Sequence, residues 1–174
     1  MDQQRIKIAE SNFKMYLQEG KIKKVDIINK LVYDTYLRNA RESLKVADQL
    51  SQNKTSSLWV VVTNYYSMFY LACAYLYKLG YKSSGEIVHQ VINEVLIVQG
   101  RHKLKNYVLE NYNEEKEKAL IIVDNYLDNY EREKAKRATF QYETTEEIKE
   151  SKAQTSLNRA REFLTLMEEI LQKV

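Results

Sequence analysis

An arginine and a tyrosine stand five residues apart in AKRATFQYETTEEIKES, residues 135–151. Arg137 offers a planar, permanently charged fork of donors that fits two oxygens of a phosphate. Tyr142 offers a phenol. Both fall where a long charged helix runs out, just before Thr144, which opens a capping box with Glu147. Positions 123, 130 and 137 are spaced by sevens and share one helix face, so Arg137 prolongs the inward line of Val123 and Tyr130. An arginine on a core-facing line needs a partner or a cavity. Five residues of continuous helix turn through about 140°, so Arg137 and Tyr142 meet only if the helix ends between them. Thr144 supplies that break. Arginine, phenol and the positive end of the next helix then describe an anion site suited to phosphate. The plainer account stands beside it, and on pattern alone is the commoner case: Arg137 as a structural tie between two helices.

Other chemistry is scarce. His89, between Val88 and Val91, reads as a packed or surface residue. His102 lies in GRHKLK with Arg101 and Lys103, a basic cluster that is a solvated surface or at best a phosphate contact. Two histidines and the single Cys73 sit in different segments, which leaves no metal-ligand spacing. No glycine-rich phosphate loop and no serine nucleophile elbow occurs, and no metal or cofactor is expected. Glu114, Glu115 and Glu117 read as the acidic first turn of a helix, favourable to its dipole without any catalytic role.

The elements that must position these groups are helices. The chain has 174 residues, no proline, four glycines and 44% hydrophobic residues, enough for one domain with its own core. Its 27 basic and 24 acidic residues make a mixed surface, unlike the lopsided charge of a dedicated duplex-DNA binder. A first helix carries Ile6, Ala9, Phe13 and Tyr16 and stops at Gly20, followed by a basic hinge, KIKK, at 21–24. Asp26 is placed to cap a second helix with the stripe Tyr33, Leu37, Ala40, Leu44 and Ala47. A third runs from Thr55–Ser57 to Leu79, stopped by Gly80, and a fourth from near Ser84 to Gly100. A short helix over about 102–111 precedes a long charged one, capped by Asn113 and carrying Ala119, Val123, Tyr126 and Tyr130. The last bears Ala153, Leu157, Ala160, Leu164, Met167, Leu171 and Val174. No period-2 alternation is sustained. The reading is an all-α, up-and-down bundle of five to six helices in one domain, 1–174, with 1–25 as an N-terminal helical extension.

Between Lys54 and Lys78 there is no charge, a length that reaches across a bilayer. Thr63, Asn64, Ser67 and the tyrosines are spread through it rather than gathered at its ends, which fits the central helix of a bundle and not a membrane span. Trp59 is expected to be buried or half-buried, and Tyr65, Tyr66 and Phe69 to be packing residues. The start, MDQQRIKIAESNF, lacks an apolar signal core, so a cytoplasmic location is expected.

The run SLWVVVTNYYSMFYLACAYLYKLGYKS resembles the helix that typifies HEPN-domain proteins: two tyrosines, a small residue, Met-Phe, a small-residue face, then Gly-Tyr. KRATFQYETTEEIKESKAQTSLNRAREFL is similar to the closing segment of a prokaryotic HEPN group related to toxin–antitoxin ribonucleases. The resemblance covers the chain from about residue 30 onward. It implies a HEPN-like bundle, a homodimer, and a role around RNA or nucleotides. Many members are metal-independent ribonucleases, often toxins paired with a small nucleotidyltransferase antitoxin. Their motif is an arginine followed four to six residues later by a histidine, brought together across the dimer. Arg137 matches the arginine, Tyr142 with Gln141 before it takes the histidine position, and Asn64 matches a polar residue on the core helix.

The departure matters, because a phenol with a pKa of about 10 is a poor base at neutral pH. The implied catalytic pair is Arg137 and Tyr142, and the implied phosphate- or RNA-binding set is Arg137, Gln141, Lys136 and Asn64. The expectation is RNA or nucleotide-phosphate binding with weak or lost cleavage. Its alternatives are a non-catalytic module that docks a nucleotidyltransferase partner, and an active ribonuclease toxin.

Overall fold

The charge-free stretch becomes the axis around which the other helices assemble. The computed structural model describes residues 1–85, 87–135 and 149–173, and of residues 125–135 the backbone alone. In chain order the described elements are α1 (Gln3–Gln18), β1 (Ile22–Lys24), α2 (Lys30–Gln52), α3 (Ser57–Lys78), β2 (Tyr81–Ser83), α4 (Val88–Gly100), α5 (Asn106–Ala135) and α6 (Glu150–Leu171). These six helices make the mostly-α bundle expected. Among the described residues no helix is long and apolar enough to cross a membrane.

α3 starts where Ser56 Oγ accepts the Trp59 N–H at 3.3 Å, and it is buried almost all round. α2 runs antiparallel beside it, with Tyr36 edge-on to Tyr77 at one end and Ala47 clustered with Val60, Val61 and Val62 at the other. α5 and α6 form a second antiparallel pair, with Tyr112 stacked on Phe163 at 5.3 Å and Ile122 clustered with Ala153 and Leu157. Every described member of the α6 stripe, from Ala153 to Leu171, is buried. Val174 lies outside the described residues.

Four boundaries differ from the expectations, each for a local reason. KIKK is no hinge: Ile22, Lys23 and Lys24 pair antiparallel with Ser83, Lys82 and Tyr81. Three residues are too few for alternation to show in sequence. The pairing also moves two starts. Asn29 rather than Asp26 caps α2, accepting the Leu31 and Val32 N–H groups, and α4 begins at Val88 rather than Ser84, whose N–H and Oγ bond back to Lys21 and Gly20. Gly80 is required at this join. Its φ is +83°, and a Cβ there would lie 3.2 Å from the Val25 carbonyl oxygen, which belongs to a segment bonded back to Gly80. Further on, the short helix and Asn113 cap give way to a continuous α5, because nothing between Tyr112 and Glu115 breaks it and both are wholly buried. Trp59 is 47% exposed, sitting in the first turn of α3 at an end of the bundle. The capping box at Thr144 and Glu147 lies outside the described residues.

α1 is fastened to the bundle by charge. Asp2 caps it through the Arg5 N–H, and the Arg5 guanidinium grips Glu94 of α4 with two bonds of 2.7 and 2.6 Å. Glu94 is only 5% exposed, so its charge has few other partners. Arg5→Ala should lower the unfolding free energy by about 1–3 kcal/mol, the cost of a buried group left unpaired. Adding Glu94→Leu should recover part of the loss. Urea melts of wild type and the two variants check this, and a double variant no more stable than Arg5→Ala would refute it.

Candidate functional site

A helix buried over most of its surface must satisfy its inward polar side chains inside the bundle. Three on α3 each reach a different neighbour. Ser67 Oγ donates to the Ala40 carbonyl of α2 at 2.8 Å. Asn64 Nδ2 donates to Ser156 Oγ of α6 at 3.4 Å, while its Oδ1 is buried with no partner among the described residues. The Tyr65 hydroxyl is 2.7 Å from His89 Nδ1 of α4.

Between α5 and α6 the polar line continues in charged form. Arg159, one turn beyond Ser156, bonds Glu115 Oε1 at 2.8 Å and Glu114 Oε2 at 3.0 Å. Lys118 joins the same two carboxylates at 3.1 and 2.8 Å. Hydrogen bonds from Arg159, then Lys118, hold the Glu114 carboxyl below its usual range. Glu115 is wholly buried, and its Oε2 has no partner among the described residues. The acidic residues are therefore not a helix's first turn. They lie in the body of α5, and Glu115 is an internal anchor for Arg159.

Tyr65, Tyr66, Phe69 and His89 form an aromatic cluster, with the His89 and Phe69 rings 4.4 Å apart. Burial pushes the Tyr65 and Tyr112 phenols upward, so both stay protonated at neutral pH. Burial, helped by the Lys116 ammonium, pushes His89 down and keeps its imidazole neutral. His89 is thus a packed, hydrogen-bonded histidine, as its spacing suggested. Among the described residues no group of His, Cys, Asp and Glu is arranged to hold a metal ion.

Of the site residues named from sequence, Asn64 is described and lies in this polar seam. Lys136, Arg137, Gln141 and Tyr142 lie outside the described residues. Sequence reading missed Ser156, Arg159 and Glu115. The signal was present: Val108, Tyr112, Glu115, Ala119 and Ile122 keep a four-three-four-three spacing, which places Glu115 inward once α5 is unbroken.

The family model described as HEPN domain matches residues 33–170. The chain belongs to the HEPN family. No curated protein and no solved structure matches it.

The His89 environment sets a pH dependence. Its folded pKa is lowered from about 6.5, so the unfolded chain binds the proton more readily. The stability contributed by neutral His89 is complete above about pH 6.5 and is lost as pH falls from there through the folded pKa. Histidine NMR titration should place His89 below 6.5 and Lys116→Met should raise it. His89→Gln should flatten the loss of stability between about pH 7 and 5; an unchanged slope would show that other groups cause it.

Proposed function

We propose that this member of the HEPN family binds RNA or a nucleotide through a phosphate gripped by Arg137, with Lys136 and Gln141 beside it and Asn64 orienting the guanidinium. The family is generally associated with ribonuclease and nucleotide-related roles. The observation that carries the reading is the Asn64 side chain. It is wholly buried on the core helix, tied by its amide to Ser156, and left with a carbonyl oxygen that has no partner among the described residues. Such an acceptor suits a guanidinium, which has donors in several directions and no acceptor. Ser156 is six residues into α6, about 9 Å from its start, and residues 136–148 connect α5 to that start.

Arg137 would supply the cation for a phosphate, and Tyr142 a phenol at the position where the family's motif has histidine. A phenol stays protonated near neutrality and donates well, but it removes a 2′-hydroxyl proton poorly. The reading is therefore phosphate recognition with slow or absent cleavage, a degenerate form of a metal-independent ribonuclease of toxin–antitoxin type. A homodimer fits it. The partly exposed line Thr63, Tyr66 and Tyr70 runs along charge-free α3, and Ile121 of α5 is 58% exposed, surface that a second copy would cover.

Arg137→Ala should weaken RNA or phosphate binding about 10–100-fold, the worth of a charged hydrogen-bonding group, while helical content stays as in wild type. Arg137→Lys should restore part of it, and Asn64→Leu should weaken binding with Arg137 in place. Tyr142→Phe should abolish any cleavage that needs the hydroxyl, and Tyr142→His should gain metal-independent cleavage. Wild type that binds neither RNA nor nucleotide would favour the interaction module that docks a nucleotidyltransferase. Light scattering at micromolar concentration should give twice 20.6 kDa; a monomer alone would count against a site shared across a dimer.

A further inference from the structure

The matched family region begins at residue 33, so α1 and β1 are additions to it. α1 does more than cover α4. Together with the turn after α4 and the foot of α5 it borders an open cavity of about 370 Å³, lined by Gln3, Ile6, Lys7, Glu10, Arg101, His102 and Asn106. That volume falls within the range of small-ligand sites.

The lining is rich in donors. Arg101 Nη1 forms an ion pair with Glu10 at 2.8 Å but makes no hydrogen bond among the described residues, and its Nε donates to His102 Nε2 at 3.1 Å. An arginine N–H can only donate, so Nε2 accepts and Nδ1 is the ring nitrogen left to meet a ligand. Glu10 and Arg101 cancel each other, and Lys7 has no carboxylate partner among the described residues, which leaves the cavity one net positive charge. Asn106 is the first residue of a 30-residue helix and adds an amide side chain at its positive end. Lys105 before it has no acceptor with which to cap the helix.

We propose that this cavity binds the terminal phosphate of a nucleotide, with Lys7 and His102 as its principal contacts. A phosphate monoester matches the parts: it carries up to two negative charges and three acceptor oxygens, and it brings no proton donor that Glu10 must provide for. The site is separate from the one proposed at Arg137. Asn64 and Ser156, against which Arg137 is proposed to sit, belong to α3 and α6, and neither lines the cavity.

The test is calorimetric titration of the full chain with inorganic phosphate, adenosine 5′-monophosphate and adenosine. The monophosphate should bind saturably and adenosine should not. Titrated in the Arg137→Ala background, which removes the other proposed phosphate site, Lys7→Ala and His102→Ala should each weaken binding at least tenfold. Both side chains are exposed and outside the core, and circular dichroism checks that each variant is folded. In the same Arg137→Ala background, oligoribonucleotides with a 5′-phosphate or a 5′-hydroxyl identify the source. Binding of the phosphorylated one alone assigns the site to an RNA end, and binding of neither assigns it to a free nucleotide. Three results would overturn the proposal: no saturable binding by wild type, affinity unchanged in both Lys7→Ala and His102→Ala, or equal binding of the 5′-hydroxyl oligonucleotide. Loss of binding in Arg137→Ala alone would move the phosphate to the other site and overturn it as well.

Discussion

Enclosure of all but one narrow strip of α3 is the constraint from which the rest of the structure follows. A polar side chain on its buried faces cannot be left to solvent, so it must find its partner on a neighbouring helix. Ser67 finds α2, Asn64 finds α6, and Tyr65 finds α4, while the Tyr75 hydroxyl reaches the Gln99 carbonyl of α4 at 3.0 Å. At the end of the helix, Lys78 Nζ donates to the last carbonyl of α6, Leu171, at 2.7 Å. Apolar packing would tolerate a slide of one helix along another far better than these bonds do. A one-turn slip breaks several of them at once and strands buried donors and acceptors. The polar groups thus fix the register in which the apolar faces meet.

The two charged anchors play the same part at the margins of the bundle. Burying Glu115 and Glu94 costs solvation that their partners only partly return, so neither pair is best understood as a source of stability. Arg159 with Glu115 joins α6 to α5, and Arg5 with Glu94 joins α1 to α4. Each pair links elements whose apolar contacts alone leave their alignment loose. Glu94 is telling, because it lies within the family region while Arg5 lies before it. A carboxylate only 5% exposed on α4 makes sense only with α1 laid over it.

Most of the helices were legible because their apolar residues recur at threes and fours, and because glycine and Ser56 punctuate them where the chain turns. The stripe of α6 and the central role of α3 followed from that rule alone. What escaped it was structure made by distant pairing. β1 and β2 are three residues each and are specified by one another, across more than fifty residues, rather than by a local pattern. Once that pairing is missed, the starts of α2 and α4 are misplaced with it. Asn113 misled for the opposite reason: a residue with good capping chemistry does not stop a helix whose inward face continues through Tyr112, Glu115 and Ala119. Asn64 was legible as a polar residue on an apolar helix, but its partner Ser156 was not, since a serine among alanines carries no signature until the two helices are packed. Arg137 and Tyr142 rest on spacing and resemblance, with the unpaired oxygen of Asn64 as the structural fact that bears on them.

Distance along α5 limits how the two proposed phosphate sites cooperate. Asn64 and Ser156, beside which Arg137 is proposed to sit, lie about one turn beyond the Arg159–Glu115 pair, so roughly 18 Å of α5 separates them from the cavity at its start. A mononucleotide cannot touch both, so occupancy of one site by a small ligand leaves the other open. A strand advancing about 3.4 Å per nucleotide needs roughly five nucleotides to cover that distance. Below this length a chain gains nothing from having two sites. Above it, a strand held by its 5′-phosphate at Lys7 and His102 presents its own interior to Arg137 at raised effective concentration, without any new contact. Two weak phosphate grips so spaced would then favour longer RNA over nucleotides, and the preference would come from geometry rather than from the strength of either site.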